Sequence, residues 1–244
     1  MISLTARPLS VSNYVDNLNA MKAQQYHLAS KIKDQWRTPE WLFQAINHLY
    51  GPVVLDLFTD GQNAKCPRYY TAEDNALTQP WAARLAEIQL DMLGEPGVSS
   101  MYHVQVKAFA NPPYSREMAG DDPLTGMTHI MAKADLERKL GGGTVWLTKS
   151  ATSEGWWPNE TASQIIFIKG RIGFEPPAWF NPHPDSSKPT SAGFGAAIIL
   201  FDPEHDKILP NAYITREELL EIGAPLAKLS QEERDAWIKT WDEV

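Results

Sequence analysis

The sequence predicts an α/β fold built on a mostly parallel sheet. Five short apolar runs have the length and continuity of strands buried on both faces: Val53 to Phe58, Val104 to Ala110, Thr144 to Thr148, Ile165 to Ile168, and Ala196 to Phe201. Stretches of helical spacing separate the first three, with Leu85, Ala86 and Ile88 in one interval and Ile130 to Leu140 in the next. Breakers fall between these segments, as Gly94-Glu95-Pro96-Gly97, Pro112-Pro113 and Gly141-Gly142-Gly143.

A chain of 244 residues accommodates one such domain with additions and is large enough to bury a core. Hydrophobic content of 43% and charged content of 21% are ordinary for a soluble globular protein. No apolar run approaches the ~20 residues of a membrane span. The N-terminus lacks the charged and apolar blocks of a signal peptide, and a single cysteine, Cys66, excludes an internal disulfide framework. A reducing cytoplasm is the expected location. The six histidines are scattered without ligand spacing, so no metal is expected.

The net charge of −8 argues against a generally basic DNA-binding surface. Its distribution is uneven. Residues 202–244 hold 11 acidic and 5 basic side chains, whereas residues 1–201 hold 19 and 17. The body is nearly neutral, and a nucleic-acid site is expected only as a local patch.

The chain opens with about ten residues of leader. Tyr14, Leu18, Met21, Leu28 and Ile32, with Gln25 in the missing place, then recur at helical spacing. A helix lying on the domain is expected, with a dimerisation helix as the alternative, so monomer and weak dimer both stay open. Thr38 suits an N-cap and Pro39 the first helical position, ahead of a stripe of Leu42, Ala45, Ile46 and Leu49 that Gly51 ends. A helix start of this kind also offers free N–H groups and a positive dipole end to a carboxylate. Val53 to Phe58 is the first strand, and Asp56 interrupts its apolar run where it should emerge, well placed for a ligand's ammonium or ribose. Asp74 and Asn75 precede a short helical stretch and read as turn chemistry.

Asn111-Pro112-Pro113-Tyr114 directly follows an apolar run. Two prolines can neither continue a helix nor donate to a sheet ladder, so they make a rigid corner with an amide before it and an aromatic ring after it. Residues 115–126 are polar and rich in turn residues, a mobile loop by composition, with Arg116 either a phosphate contact or a solvated side chain. The triple glycine at 141–143 is a helix stop and no phosphate loop, because a strand follows it. Lys149 and Trp157 lie beyond that strand. Gly170 to Phe174 reads as a further strand, and residues 175–195, rich in Pro, Ser and Asn, as a long projecting loop. The acidic tail carries two capping boxes, Thr215 with Glu218 and Ser230 with Glu233, and places Trp237 and Trp241 on one helical face.

Taken in order from Trp36 to Phe201, the Trp36-x-Thr38-Pro39 segment, Leu55-Asp56, the polar and aromatic stretch from Asn63 to Trp81 and the Asn-Pro-Pro-Tyr corner resemble the phage and prophage DNA N6-adenine methyltransferase family. The resemblance implies a Rossmann-like methyltransferase fold dependent on S-adenosylmethionine (SAM), with an antiparallel final hairpin and helical N- and C-terminal extensions. It implies transfer of a methyl group to the N6 of a flipped-out adenine in double-stranded DNA. Asn111, Pro112, Pro113 and Tyr114 would form the catalytic corner. Trp36, Thr38, Pro39, Asp56, Phe58, Asp74 and Asn75 would face the cofactor, and Arg116, Lys149, Trp157 and Arg171 the DNA. Residues 1–34 would be leader and helix, 35–205 the methyltransferase domain with DNA-contacting loops at 115–129, 150–163 and 175–195, and 206–244 an acidic helical tail.

Two departures stand out. Thr59-Asp60-Gly61-Gln62-Asn63 has one glycine where the usual cofactor loop is glycine-rich, and residues 82–103 read as an insertion. The same tetrapeptide serves enzymes that methylate glutamine amides in proteins, an alternative that suits the acidic charge. A non-catalytic module for binding DNA or a partner is the third reading.

Overall fold

The structure, a computed structural model, describes residues 13–93, 105–184, 194–205 and 208–230, together with Glu233. The expectations for the leader, for the Gly94–Gly97 break and for Trp237 and Trp241 lie outside the described residues.

The apolar runs do form strands. β1 (Val53–Asp56), β2 (Arg68–Tyr69), β3 (Lys107–Ala110), β6 (Gly143–Lys149), β7 (Gln164–Lys169), β8 (Ala196–Phe201) and β9 (Ala212–Thr215) make one sheet in the order β2-β1-β3-β6-β8-β7-β9. β1 pairs in parallel with β2 and β3, β3 with β6, and β7 with β9. β8 alone runs against its neighbours, β6 and β7. The sheet is therefore mostly parallel with an antiparallel β7–β8 hairpin. β9 lengthens it beyond the expected boundary, because the tail begins as a strand and not as a helix.

Alternation along β6 explains the two-sided core. Trp146 points to one face with Leu55, Trp81, Leu85, Ile130 and Ile199. Val145 and Leu147 point to the other with Leu42, Ile46, Ile166, Ile198 and Leu219. Helices α3 (Trp81–Leu93) and α4 (Met127–Lys139) cover the first face, and α2 (Glu40–Tyr50) and α5 (Arg216–Leu226) the second. α5 reaches α2 closely because Gly223 has no side chain: a β-carbon there would sit 1.8 Å from the Trp41 carbonyl oxygen. The α5 capping box forms as expected, with Thr215 Oγ1 accepting from the Glu218 N–H at 3.1 Å and Glu218 Oε2 accepting from the Thr215 N–H at 2.7 Å. Ser230 and Glu233 make the same reciprocal pair.

Several local expectations are corrected. The N-terminal stripe is not one helix: α1 ends (Asn13–Lys22) well before Ile32. His27 exchanges backbone hydrogen bonds with Asn181 and His183, and these hold the chain extended there. Trp81–Leu93, which takes up the first part of the stretch expected as an insertion, is a helix between β2 and β3, with Trp81, Leu85 and Ile88 in the core. Residues 115–126 form a small hairpin, β4 (Met118–Ala119) with β5 (Asp122–Pro123). Gly170 to Phe174 leaves the sheet: Gly170 turns at φ +98°, and Ile172 and Phe174 tuck into the core beside α2. The segment 175–184 packs back on the N-terminal chain, where Arg37 and Glu175 exchange backbone hydrogen bonds. Among the described residues no helix is long and apolar enough to cross a membrane.

This topology positions the site. β1 and β3 are neighbours, with Asp56 opposite Phe109, yet the chain leaves β1 toward β2 on the other side. Ligands of open α/β sheets sit at such a switch point, beyond the carboxyl ends of the strands.

Candidate active site

An open cleft lies at this switch point. The carboxyl end of β1 contributes Asp56 and Phe58, the end of β3 contributes Asn111 and Pro113, and the chain before α2 lays residues 34–38 along the wall.

Asp56 is buried at 3% exposure. Its Oδ2 accepts the Lys65 N–H at 2.9 Å and its Oδ1 the Phe58 N–H at 3.3 Å. Burial outweighs both hydrogen bonds and pushes its pKa up to about 7. The single-glycine loop is organised by Asp60, whose Oδ1 accepts from the backbone of Gln62 and Asn63. Asp60 Oδ2 accepts Trp179 Nε1–H at 3.0 Å and lies 3.6 Å from Lys22 Nζ. Asx-turn bonding here does the work that glycines do in other loops of this kind, and the 175–184 segment roofs the loop.

Thr38 is not the N-cap. Pro39 is, in extended conformation and without a side-chain cap bond, while the N–H groups of Leu42 and Phe43 both donate to its carbonyl. The helix starts one residue later than expected because Pro39 stays outside it. Thr38 consequently lines the cleft, 2% exposed, with its Oγ1 buried and without a protein partner. An unsatisfied buried hydroxyl costs free energy unless something meets it. Lys65 is a further cleft residue the sequence did not mark; its Nζ pairs with Glu40 at 2.9 Å.

The corner follows β3. Asn111 Nδ2 donates to the Trp36 carbonyl at 3.0 Å, which fixes the amide and leaves its Oδ1 as an acceptor. Pro112 and Pro113 are buried. Tyr114 lies on the far side of the corner, in a second hollow that it lines with Arg116, Lys149, Glu154 and Trp156. The Lys149 N–H donates to the Tyr114 hydroxyl at 2.6 Å, and burial holds that phenol well above its usual pKa, so it stays neutral.

Of the residues marked in sequence, the cleft thus brings together Trp36, Thr38, Asp56, Phe58, Asn111 and Pro113, and the second hollow gathers Tyr114, Arg116 and Lys149. Pro39 stands behind the wall as the helix cap. Asp74 and Asn75 line neither hollow. Asp74 accepts from the Thr71 N–H and hydroxyl, while Asn75 caps the turn after it and donates to the Pro123 carbonyl. Arg171 is exposed and lines neither hollow. Trp157 is corrected as a surface residue: it is 7% exposed and stacks on Phe167, ring centroids 6.1 Å apart. Its neighbour Trp156 faces the hollow instead. The resemblance marks Trp157 and leaves its neighbour Trp156 unmarked.

The family model described as DNA N-6-adenine-methyltransferase (Dam) matches residues 25–226 of the chain. The chain is also 51% identical, over 85 residues, to the Escherichia coli (strain K12) protein named "Putative methyltransferase YfdM", a match covering 35% of this chain and 93% of that protein.

Proposed function

The chain belongs to the DNA N-6-adenine-methyltransferase (Dam) family, and from that premise we propose that it transfers a methyl group from SAM to the N6 of an adenine flipped out of double-stranded DNA. The observation that carries this reading is the Asn111 amide. Its nitrogen is tied to Trp36, its oxygen is left to accept, and it borders the same cleft as Asp56 and Thr38.

The cleft suits the cofactor. Thr38 Oγ1 is a buried donor lacking a partner, at the N-terminal end of α2, and meets the needs of a carboxylate. Asp56 offers negative charge to an ammonium or to ribose hydroxyls, and Trp36 and Phe58 add apolar and aromatic surface. When bound, SAM supplies an electrophilic methyl on a sulfonium.

The rest is done by this chain. An adenine amino group is a poor nucleophile because its lone pair is delocalised into the ring. Asn111 Oδ1 and the Pro112 carbonyl accept its two N–H bonds and localise the lone pair toward the methyl. The amine would take up the methyl that bound SAM supplies, the electron pair staying on sulfur, and one N6 proton would then pass to solvent, so no base is needed beforehand. The protein contributes positioning and electrostatics. Tyr114 stacks on the extruded base, with Trp156 beside it, and Arg116 and Lys149 meet the flanking phosphates. With DNA as substrate, the enzyme acts in the cytoplasm of a bacterial or phage-infected cell.

Incubation with methyl-labelled SAM and either unmethylated duplex DNA or cell protein tests the proposal. Label recovered as N6-methyladenine is expected. Label in protein glutamine, or in neither substrate, overturns it.

A further inference from the structure

Two residues of the segment ahead of α2, Asp34 and Trp36, hold the Asn-Pro-Pro-Tyr corner at both of its ends. At one end the Trp36 carbonyl accepts Asn111 Nδ2–H. At the other, Asp34 Oδ1 accepts the Tyr114 N–H and Oδ2 the Ser115 N–H, each at 3.1 Å. One carboxylate receives two successive backbone donors, one on each oxygen.

The choice of donors follows from the prolines. Pro112 and Pro113 have no N–H, so the backbone offers no donor between Asn111 and Tyr114. The first two N–H groups after the double proline are the two Asp34 takes. Asp34 is itself seated. It lies in the 3-10 turn Lys33–Gln35, and the next side chain, Gln35, donates through Nε2 to the Tyr14 hydroxyl at 3.0 Å. Among the described residues no ion pair engages Asp34, so its charge serves these two hydrogen bonds, and bonds to a charged acceptor are the strong ones.

On the functional reading above, we propose that Asp34 is a positioning residue for methyl transfer. Its carboxylate sets the backbone on the far side of the double proline, and so fixes where the Pro112 carbonyl stands relative to Asn111 Oδ1. The two acceptors must meet two N–H bonds of one nitrogen, a geometry that tolerates little drift. Asp34 also lines the cleft, and its proposed action on the reacting atoms runs through the corner.

The test is steady-state methylation of unmethylated duplex by the full chain as wild type, Asp34→Ala and Asp34→Asn, with SAM dissociation constants and melting temperatures measured alongside. Misplacement of reacting groups by about 1 Å costs on the order of a hundredfold, so Asp34→Ala is expected to lower kcat by about tenfold to a hundredfold. KM for DNA and the dissociation constant for SAM are expected to stay within about threefold, because binding common to ground and transition state is untouched. Asp34→Asn keeps one acceptor oxygen while its NH2 confronts the second N–H, so it is expected to fall between. A kcat within about twofold of wild type in either variant overturns the assignment. So does a loss explained wholly by weaker SAM binding, which would make Asp34 a cofactor residue, and so does failure of both variants to fold. A wild type that methylates no adenine overturns the functional reading and this assignment together, whereas an active wild type with unaffected variants overturns this assignment alone.

Discussion

The backbone N–H of Lys149 donates to the Tyr114 hydroxyl at 2.6 Å, and the ammonium of the same lysine lies 4.1 Å from the centroid of the Tyr114 ring. β6 therefore anchors the aromatic member of the corner twice. One face of the ring is covered by a cation, so a base could stack only on the other.

That anchoring separates two substitutions at Tyr114. Tyr114→Phe keeps the ring but strands the Lys149 N–H, at a cost of about 1–3 kcal/mol in stability. It should melt at a lower temperature and still methylate DNA. Tyr114→Ala also loses stacking worth about 1–3 kcal/mol per base. Its activity should be partly restored by a mismatch opposite the target adenine, which makes flipping cheaper. Equal loss of activity in both variants would assign the role to the hydroxyl.

Asn111→Ala removes an acceptor that matters most as charge develops on the amine. Turnover should fall by ~100-fold or more, as for a lost oxyanion-type contact. Calorimetry should show SAM binding nearly unchanged, and a mismatch should not rescue the variant. An Asn111→Ala protein that folds, binds SAM and methylates near the wild-type rate would contradict the assignment.

Burial pushes the Asp56 pKa up to about 7, and the sign of its effects follows. Below that value the carboxylate takes up a proton and loses the charge offered to the cofactor. SAM affinity should therefore weaken by up to tenfold per pH unit as pH falls below about 7. Asp56→Asn should bind more weakly throughout and show a flat profile. Stability of the free protein runs the other way. The native state binds this proton more tightly than the unfolded chain, so the contribution of Asp56 is more favourable as pH falls from about 7 toward the unfolded value near 3.9. Titration calorimetry and melting across this range check both trends, and a SAM affinity independent of pH would show that Asp56 does not meet the cofactor.

Trp157 and Trp156 should part company on mutation. Trp157→Ala empties a core site and should cost about 3–5 kcal/mol in stability. DNA affinity of the protein that remains folded should be unaltered. Trp156→Ala should leave the melting temperature nearly unchanged and weaken binding of a duplex with an extrudable adenine. The reverse pattern would return Trp157 to the DNA surface.

Sequence by itself determined what is local. Continuous apolar runs specified the buried strands, because a strand covered on both faces favours apolar side chains at nearly every position. Helical spacing and the Thr215–Glu218 box specified α5, and the double proline specified a rigid corner after β3, because each rests on chemistry within a few residues. Tertiary structure decided what depends on distant partners. Thr38 reads as a cap, yet lines the cleft because Pro39 stays extended. Gly170 to Phe174 reads as a strand, yet leaves the sheet because Gly170 turns and the core beside α2 takes Ile172 and Phe174. Asp34 carries no local signal at all: the donors that define it lie 80 and 81 residues away. Spacing along a chain records which neighbours a residue can reach through its own helix or strand, and only the packed sheet brings two carboxyl ends and an N-terminal turn to one cleft.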